Sequence, residues 1–215
     1  MSPVLTFSHV SFSYEGNTRA LEDISFSIDK GEKVALLGLN GAGKSTLMLH
    51  TNGLLLPESG EVLVNGLSTR GKEIREIRKL VGMVFQNSDD QLFMPTVWDD
   101  IAFGPRNMGL SESEIAQRVE EAMKLTLTTH LARRCPFELS GGEKKAVSIA
   151  TVLSMRPEIL VMDEPTAGMD ARARQNFISL VESLPQALLL STHDLELAST
   201  LCSRSLNLSA GRLLP

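Results

Sequence analysis

The stretch GLNGAGKST at 38–46 sets Gly38, Leu39, Asn40, Gly41, Ala42 and Gly43 ahead of Lys44, Ser45 and Thr46. A buried-type apolar run, KVALL, precedes it and an apolar helical pattern follows. In that strand–turn–helix setting the spacing G-x-x-x-x-G-K-[ST] carries a mechanism. Backbone N–H groups of a glycine-rich turn can converge on phosphate oxygens, and the helix behind them adds its positive end. Lys44 supplies a point charge for β- and γ-phosphates, and Ser45 offers a hydroxyl that can ligate Mg²⁺. The chemistry implied is nucleotide binding. The plainer alternative, a flexible turn with a chance lysine, leaves the coincidence of spacing and setting unexplained.

Two further strand ends could complete such a site. In EILVMDEP at 158–165 an apolar run ends in two carboxylates, which a parallel sheet would deliver at its C-terminal edge. Asp163 would hold Mg²⁺ there, and Glu164 could take a proton from an attacking water, a role typically worth roughly 10²–10⁴ in rate. ALLLS followed by THD puts His193 at the same kind of strand end, where an imidazole could bond the γ-phosphate or the water. A purely structural histidine is the other reading. Gln86, closing LVGMVF, fits a γ-phosphate and Mg²⁺ contact by the same placement.

A second glycine pair lies in ELSGGEKK at 138–145. Ser140 and Glu143 have capping-box spacing ahead of a helical pattern with Ala146, Ile149, Ala150 and Leu153 on one face. A cap alone tolerates almost any middle residues, whereas Gly141 and Gly142 cost roughly 1 kcal/mol each against alanine in a helical turn. Ser140, two bare backbone amides and a helix N-terminus would make a second anion site. Whose phosphate it would hold is open at this level.

Positioning these groups requires strands that end together. KVALL, LVGMVF, EILVM and ALLLS are continuous apolar runs of the kind found in sheets covered on both faces, with helical patterns between them. Near the N-terminus, Val10, Phe12 and Tyr14, then Ile24, Phe26 and Ile28, alternate with other residues, and Val62 and Val64 continue the pattern. These read as half-buried antiparallel strands. Residues 87–155 turn helical, with Ile115, Val119, Ala122 and Met123 on one face of 111–125. The expectation is one domain over 1–215. Residues 1–86 and 156–215 form an α/β core with an antiparallel layer, and 87–155 form a helical insertion.

Composition narrows the partners. A formal charge of −5 over 215 residues, with basic residues scattered, argues against a nucleic-acid surface. KEIREIRK at 72–79 and Arg133–Arg134 read as solvated helix faces. Cys135 and Cys202 lack disulfide or metal spacing and read as structural thiols. The N-terminus shows no secretory leader pattern, and no apolar run approaches the roughly 18 residues of a membrane span.

The order of these pieces, with Tyr14 ahead of GLNGAGKST and with LSGG just before the strand ending in Asp163–Glu164, resembles the ATP-binding subunit of ABC transporters over essentially the whole chain. The resemblance implies an α/β fold of P-loop (RecA-like) type that hydrolyses ATP with Mg²⁺. It implies that Tyr14 stacks on the adenine and that Asp170, in AGMD, lies in a dimer-contact loop. Two subunits would associate head to tail, as a homodimer or with a similar ATPase. Ser140, Gly141 and Gly142 of one would then close over the ATP of the other, driving integral membrane transport subunits from the cytoplasmic face of the membrane. VFQNSDDQLFMPTVWDDIAFGPRNMGL at 84–110 is similar to the ATPases of energy-coupling-factor and cobalt/nickel importers, except that Ser88 stands where that group commonly has proline. Members of that group also often carry an extra C-terminal segment, where this sequence ends at GRLLP. In the apolar and acidic stretch 88–103, Phe93, Trp98, Ile101 and Phe103 are candidates either for membrane-partner contact or for the core. A soluble ATPase of the same family, serving an assembly such as iron–sulfur cluster building, is the alternative.

Overall fold

The computed structural model describes residues 3–15 and 18–214. The period-two segments form β1 (Pro3–Tyr14) and β2 (Thr18–Asp29), paired antiparallel. KVALL becomes β3 (Lys33–Leu37), and the glycine-rich turn leads into α1 (Lys44–His50). Next come β4 (Ser59–Val64), the short β5 (Leu67–Ser68), α2 (Ile74–Leu80) and β6 (Val81–Val84). Three helices follow: α3 (Val97–Asn107), α4 (Glu112–Leu125) and α5 (Gly141–Leu153). The chain continues through β7 (Ile159–Asp163), α6 (Ala171–Ser183), β8 (Ala187–Ser191) and α7 (Leu195–Leu201). A hairpin of β9 (Arg204–Ser209) and β10 (Arg212–Leu214) ends it.

These elements cluster into two compact units. One comprises 1–83, Glu158–Glu164 and 185–215; the other comprises Val84–Pro157 and Pro165–Leu184, so that α6 groups with α3–α5. The first unit carries a four-stranded antiparallel sheet, ordered β2-β1-β4-β5, and a six-stranded sheet, ordered β10-β9-β3-β8-β7-β6. In the larger sheet β3 pairs parallel with β8 and β9, and β7 with β8. The central runs are apolar throughout because both faces are covered: Val34–Leu36, Ile159–Met162 and Ala187–Leu190 are all buried. Ser191 lies opposite both Leu36 and Asp163, so β3, β7 and β8 end at one edge. In open parallel sheets that edge is where ligands bind.

Strict alternation fails along β1, for an identifiable reason. Register shifts separate Phe7, Val10 and Phe12, and His9 and its neighbour Asp23 both sit at φ 51°, joined by a 2.7 Å Nδ1···Oδ1 contact. Each bulge adds twist. Phe12 ends half-buried and Tyr14 is 44% exposed at the strand's end.

In the second unit α4 buries Ile115, Val119, Ala122 and Met123, and Ser111 with Glu114 closes a capping box at its start. Helix α5 is buried over a wider arc than its apolar face suggests, because it packs against both α3 and α4. Val147, Ser148 and Val152 are enclosed too, while Ala146 is only half-buried. Asp100 in α3 is 3% exposed. Its Oδ1 accepts from the Phe93 and Met94 amides at 3.1 Å each, and its Oδ2 has no partner.

Burial raises the Asp100 pKa above the ordinary aspartate value, against the opposing pull of those two amides. The native state therefore holds that proton more tightly than the unfolded chain. This contribution is fully present below the unfolded pKa and is lost as pH rises through the native one. Asp100→Asn removes the titration. Its melting temperature relative to wild type should rise by about 2–4 °C between about pH 4 and pH 7. Parallel thermal melts across that range test this.

Candidate functional site

The first unit assembles one cluster at the common strand edge. The backbone of Gly38 passes so close to β9 that a Cβ there would lie 2.3 Å from the Leu208 carbonyl oxygen. Gly43 holds φ 106°, and a Cβ would meet the Ala20 oxygen at 2.6 Å. Glycine is thus required by the chain's own packing at both ends of the loop. Between them Leu39, Asn40 and Gly41 are exposed and Ala42 is buried, its amide donating to the Leu39 oxygen at 3.1 Å. Lys44 is 7% exposed, and its Nζ donates to the Gly38 and Leu39 oxygens at 2.8 and 3.3 Å. A buried ammonium held only by two carbonyls of a glycine loop is poised for stronger, anionic acceptors.

Ser45 Oγ donates to Asp163 Oδ2 at 2.5 Å, tying α1 to the end of β7. The other oxygen, Asp163 Oδ1, accepts from Ser191 Oγ, also at 2.5 Å, inside the core. Ser191, which ends the run ALLLS and opens STHD, has no role assigned from the sequence. A serine hydroxyl beside a fixed carboxylate is a set of hard oxygen donors of the type Mg²⁺ takes. Glu164 follows at φ 43°, an uncommon conformation for this side chain that clusters at functional sites. It is 7% exposed; Oε2 pairs with His193 Nδ1 at 3.0 Å, and Oε1 has no partner although buried. An unpaired buried acceptor costs roughly 1–3 kcal/mol. His193 itself is exposed, its side chain at 77%. Tyr14 Oη lies 3.1 Å from Thr46 Oγ1, so the sole tyrosine is joined to the same helix as Lys44 and Ser45.

The second unit holds Gln86, the LSGG segment and Asp170. Gln86 is exposed, and its backbone oxygen accepts from Lys145 Nζ at 2.7 Å, as does that of Phe85 at 2.8 Å. Lys145 is 3% exposed, a second buried lysine the sequence did not flag. Asp170 Oδ1 caps α6 through the Ala173 amide at 2.7 Å. The Ser140–Glu143 capping box is complete: Oε2 of Glu143 accepts from the Ser140 amide and hydroxyl at 2.8 Å each, and Ser140 Oγ accepts from the Glu143 amide at 3.4 Å. The glycines differ from those of the first loop. A Cβ on Gly141 would meet nothing within 4 Å, and one on Gly142 only the Ala173 Cβ at 3.8 Å. Neither needs to be glycine for the chain's own packing.

Among the docking candidates Ile101 is fully buried and belongs to the core. Trp98 is half-buried. Phe93 and Phe103 are 58% and 41% exposed and stack edge to face at 5.0 Å. Among the described residues no helix is long and apolar enough to cross a membrane, and no cluster of three or more His, Cys, Asp or Glu side chains is placed to hold a metal.

A phosphate loop at the edge of a mainly parallel sheet, with an aspartate–glutamate pair ending another strand of the same sheet, defines a P-loop nucleotide hydrolase of the α/β class. Comparison with known proteins narrows this. Residues 21–167 match the family profile described as ABC transporter. The chain is 48% identical over 204 residues to the energy-coupling factor transporter ATP-binding protein EcfA of Methanoculleus marisnigri, covering 93% of this chain and 74% of that one. It is 45% identical over 219 residues to the cobalt import ATP-binding protein CbiO of Rhodobacter capsulatus, covering 100% and 78%. Among solved structures it superposes on CbiO1 of Clostridium perfringens, described as part of the ABC transporter complex CbiONQ, with TM-score 0.88, 37% identity and coverage of 100% and 88%. It also superposes on the dimeric ATP-binding cassette MJ0796 bound to ADP and Pi, with TM-score 0.87, 26% identity and coverage of 98% and 97%. The chain belongs to the ABC transporter family and is its ATP-binding, ATP-hydrolysing component.

Proposed function

We propose that this ATPase works as one domain that closes head to tail on ATP with a second copy or a similar ATPase, and so powers a membrane importer for a vitamin or a transition-metal ion. The observation that carries the reading is the open glycine pair at the start of α5. Gly141 and Gly142 cost helix stability, and nothing in their own chain comes near enough to require them. A bulky anion brought from outside would require them. The names of the relatives, an energy-coupling-factor subunit and a cobalt importer subunit, support the importer class and its substrate range.

In this reading residues 38–46 hold the triphosphate, Lys44 exchanging its two carbonyl partners for phosphate oxygens, and Tyr14 stacks on the adenine. Ser45 and Asp163 would hold Mg²⁺, and Gln86 is assigned to the same ion on the family pattern. Mg²⁺ supplies charge neutralisation on the phosphates. Glu164 takes the proton of the attacking water on its unpaired oxygen, and His193 holds the other oxygen in place. Ser140, Gly141 and Gly142 close over the partner's ATP, with Asp170 in the adjoining contact loop. No nucleic acid is involved. The exposed Phe93–Phe103 pair contacts the integral membrane subunits, which hold the protein at the cytoplasmic face of the membrane.

Purification from membranes in mild detergent tests the transport assignment. Integral membrane subunits should co-elute with the wild type and be lost from Phe93→Ser/Phe103→Ser, with the unfolding midpoint of that variant unchanged. Co-elution with soluble assembly proteins instead would contradict it.

A further inference from the structure

Tyr14 does not stand alone at the end of β1. Its ring meets that of Phe12 edge-on at 5.0 Å and 85°, and Phe12 meets the imidazole of His50 edge-on at 4.9 Å and 76°. His50 is fully buried in the last turn of α1, and its Nδ1 lies 2.7 Å from the Thr46 carbonyl oxygen. A carbonyl cannot donate, so Nδ1 carries the proton. Burial, the larger influence, lowers the His50 pKa, against an opposing pull from that carbonyl, so the ring is neutral. Its Nε2 is then a bare acceptor with no partner in the core. Leaving it so carries a desolvation cost that an aliphatic side chain would avoid. Thr46 closes the circuit, its hydroxyl 3.1 Å from Tyr14 Oη. The chain of contacts runs Tyr14, Phe12, His50, Thr46 and back to Tyr14, and Thr46 is the last residue of the phosphate loop.

We infer that Phe12 and His50 are positioning residues for ATP: an aromatic ladder that fixes the Tyr14 ring relative to the phosphate loop, so that base and triphosphate are gripped in register. The inference rests on the reading of Tyr14 as the adenine platform. Tyr14 is 44% exposed and flanked by a bulged strand, so without lateral support its ring has rotamer freedom to lose on binding. The ladder removes that freedom beforehand. An edge-to-face aromatic contact is worth about 0.5–1.5 kcal/mol, so losing one should weaken ATP binding by about fivefold. The ring, rather than the hydrogen bond, is the part that matters, since the Thr46 carbonyl is also the ordinary helical acceptor for this turn.

The test uses the full chain with Mg²⁺ and two titrants, ATP and inorganic tripolyphosphate, measured calorimetrically. Tripolyphosphate reads the phosphate loop without the base. Phe12→Leu and His50→Leu should each bind ATP about fivefold more weakly, with tripolyphosphate affinity within about twofold of wild type, and His50→Phe should restore ATP binding. The single tyrosine gives an independent readout. In a Trp98→Phe background Tyr14 is the sole indole or phenol emitter, and its anisotropy should fall in both leucine variants and recover in His50→Phe. Wild-type ATP affinity in both leucine variants, with Tyr14→Ala impaired, would overturn the ladder and leave the adenine platform standing. Wild-type affinity in Tyr14→Ala would remove the platform and the ladder with it. Equal loss toward ATP and tripolyphosphate would show that His50 merely supports α1, and would overturn the inference as well.

Discussion

Glu164→Gln should lower the ATP turnover number by about 10³-fold while leaving ATP affinity within a few-fold of wild type. The glutamine amide can still pair with His193 Nδ1, as Glu164 Oε2 does at 3.0 Å, and it keeps the buried shape of a residue only 7% exposed. What it loses is the carboxylate oxygen that sits buried without a partner and is free to take a proton. The phosphate-binding parts, Lys44 over its loop and Ser45 against Asp163, are separate contacts and remain. Steady-state turnover and equilibrium ATP binding on the same preparation check this. A variant that loses affinity as steeply as turnover would place Glu164 in binding rather than in proton transfer.

Gly141→Ala should separate stability from function in the opposite sense. A Cβ at Gly141 meets nothing within 4 Å, and the backbone there is ordinary helix, so alanine should stabilise the protein by roughly 0.5 kcal/mol. Turnover should nevertheless fall by about 10²-fold or more, because the methyl occupies the space a partner's phosphate must enter. Thermal melts and turnover of Gly141→Ala and Gly142→Ala settle the pair. The contrast is with Gly38 and Gly43, where a Cβ would collide with the Leu208 and Ala20 carbonyls and the same substitution should destabilise. The two glycine loops thus differ physically: packing within the chain requires glycine in the first and does not require it in the second.

Much of the fold and site was legible because it is local. KVALL, ILVMD and ALLLS are short apolar runs that suit only doubly covered strands, and the Ser140–Glu143 cap is complete within four residues. The pairings that hold the candidate residues within each unit are not local. Ser45 with Asp163 spans 118 positions, Ser191 with Asp163 28, Lys145 with Gln86 59 and Tyr14 with Thr46 32. Each depends on tertiary packing between distant elements, which no window of sequence encodes. The sequence gives no sign of the Ser191 and Lys145 hydrogen bonds, the first residue ending an apolar strand and the second lying in a charge run. Ile101 fell the other way: its apolar character was plain, but only α3's packing decides between a docking face and the core. The strands β9 and β10 carry no apolar run to mark them, since RSLNLS buries little beyond Leu208 even though β9 lies between β3 and β10.

Sedimentation of Glu164→Gln at protein concentrations well above the dimer Kd, with and without saturating Mg²⁺ and ATP, tests the central claim most directly. Head-to-tail closure on ATP predicts a monomer without nucleotide and a dimer with it. It also predicts that adding Gly141→Asp returns the protein to a monomer that still binds ATP through its own phosphate loop. A Glu164→Gln protein that binds ATP yet stays monomeric, or whose dimer survives Gly141→Asp, would contradict the account.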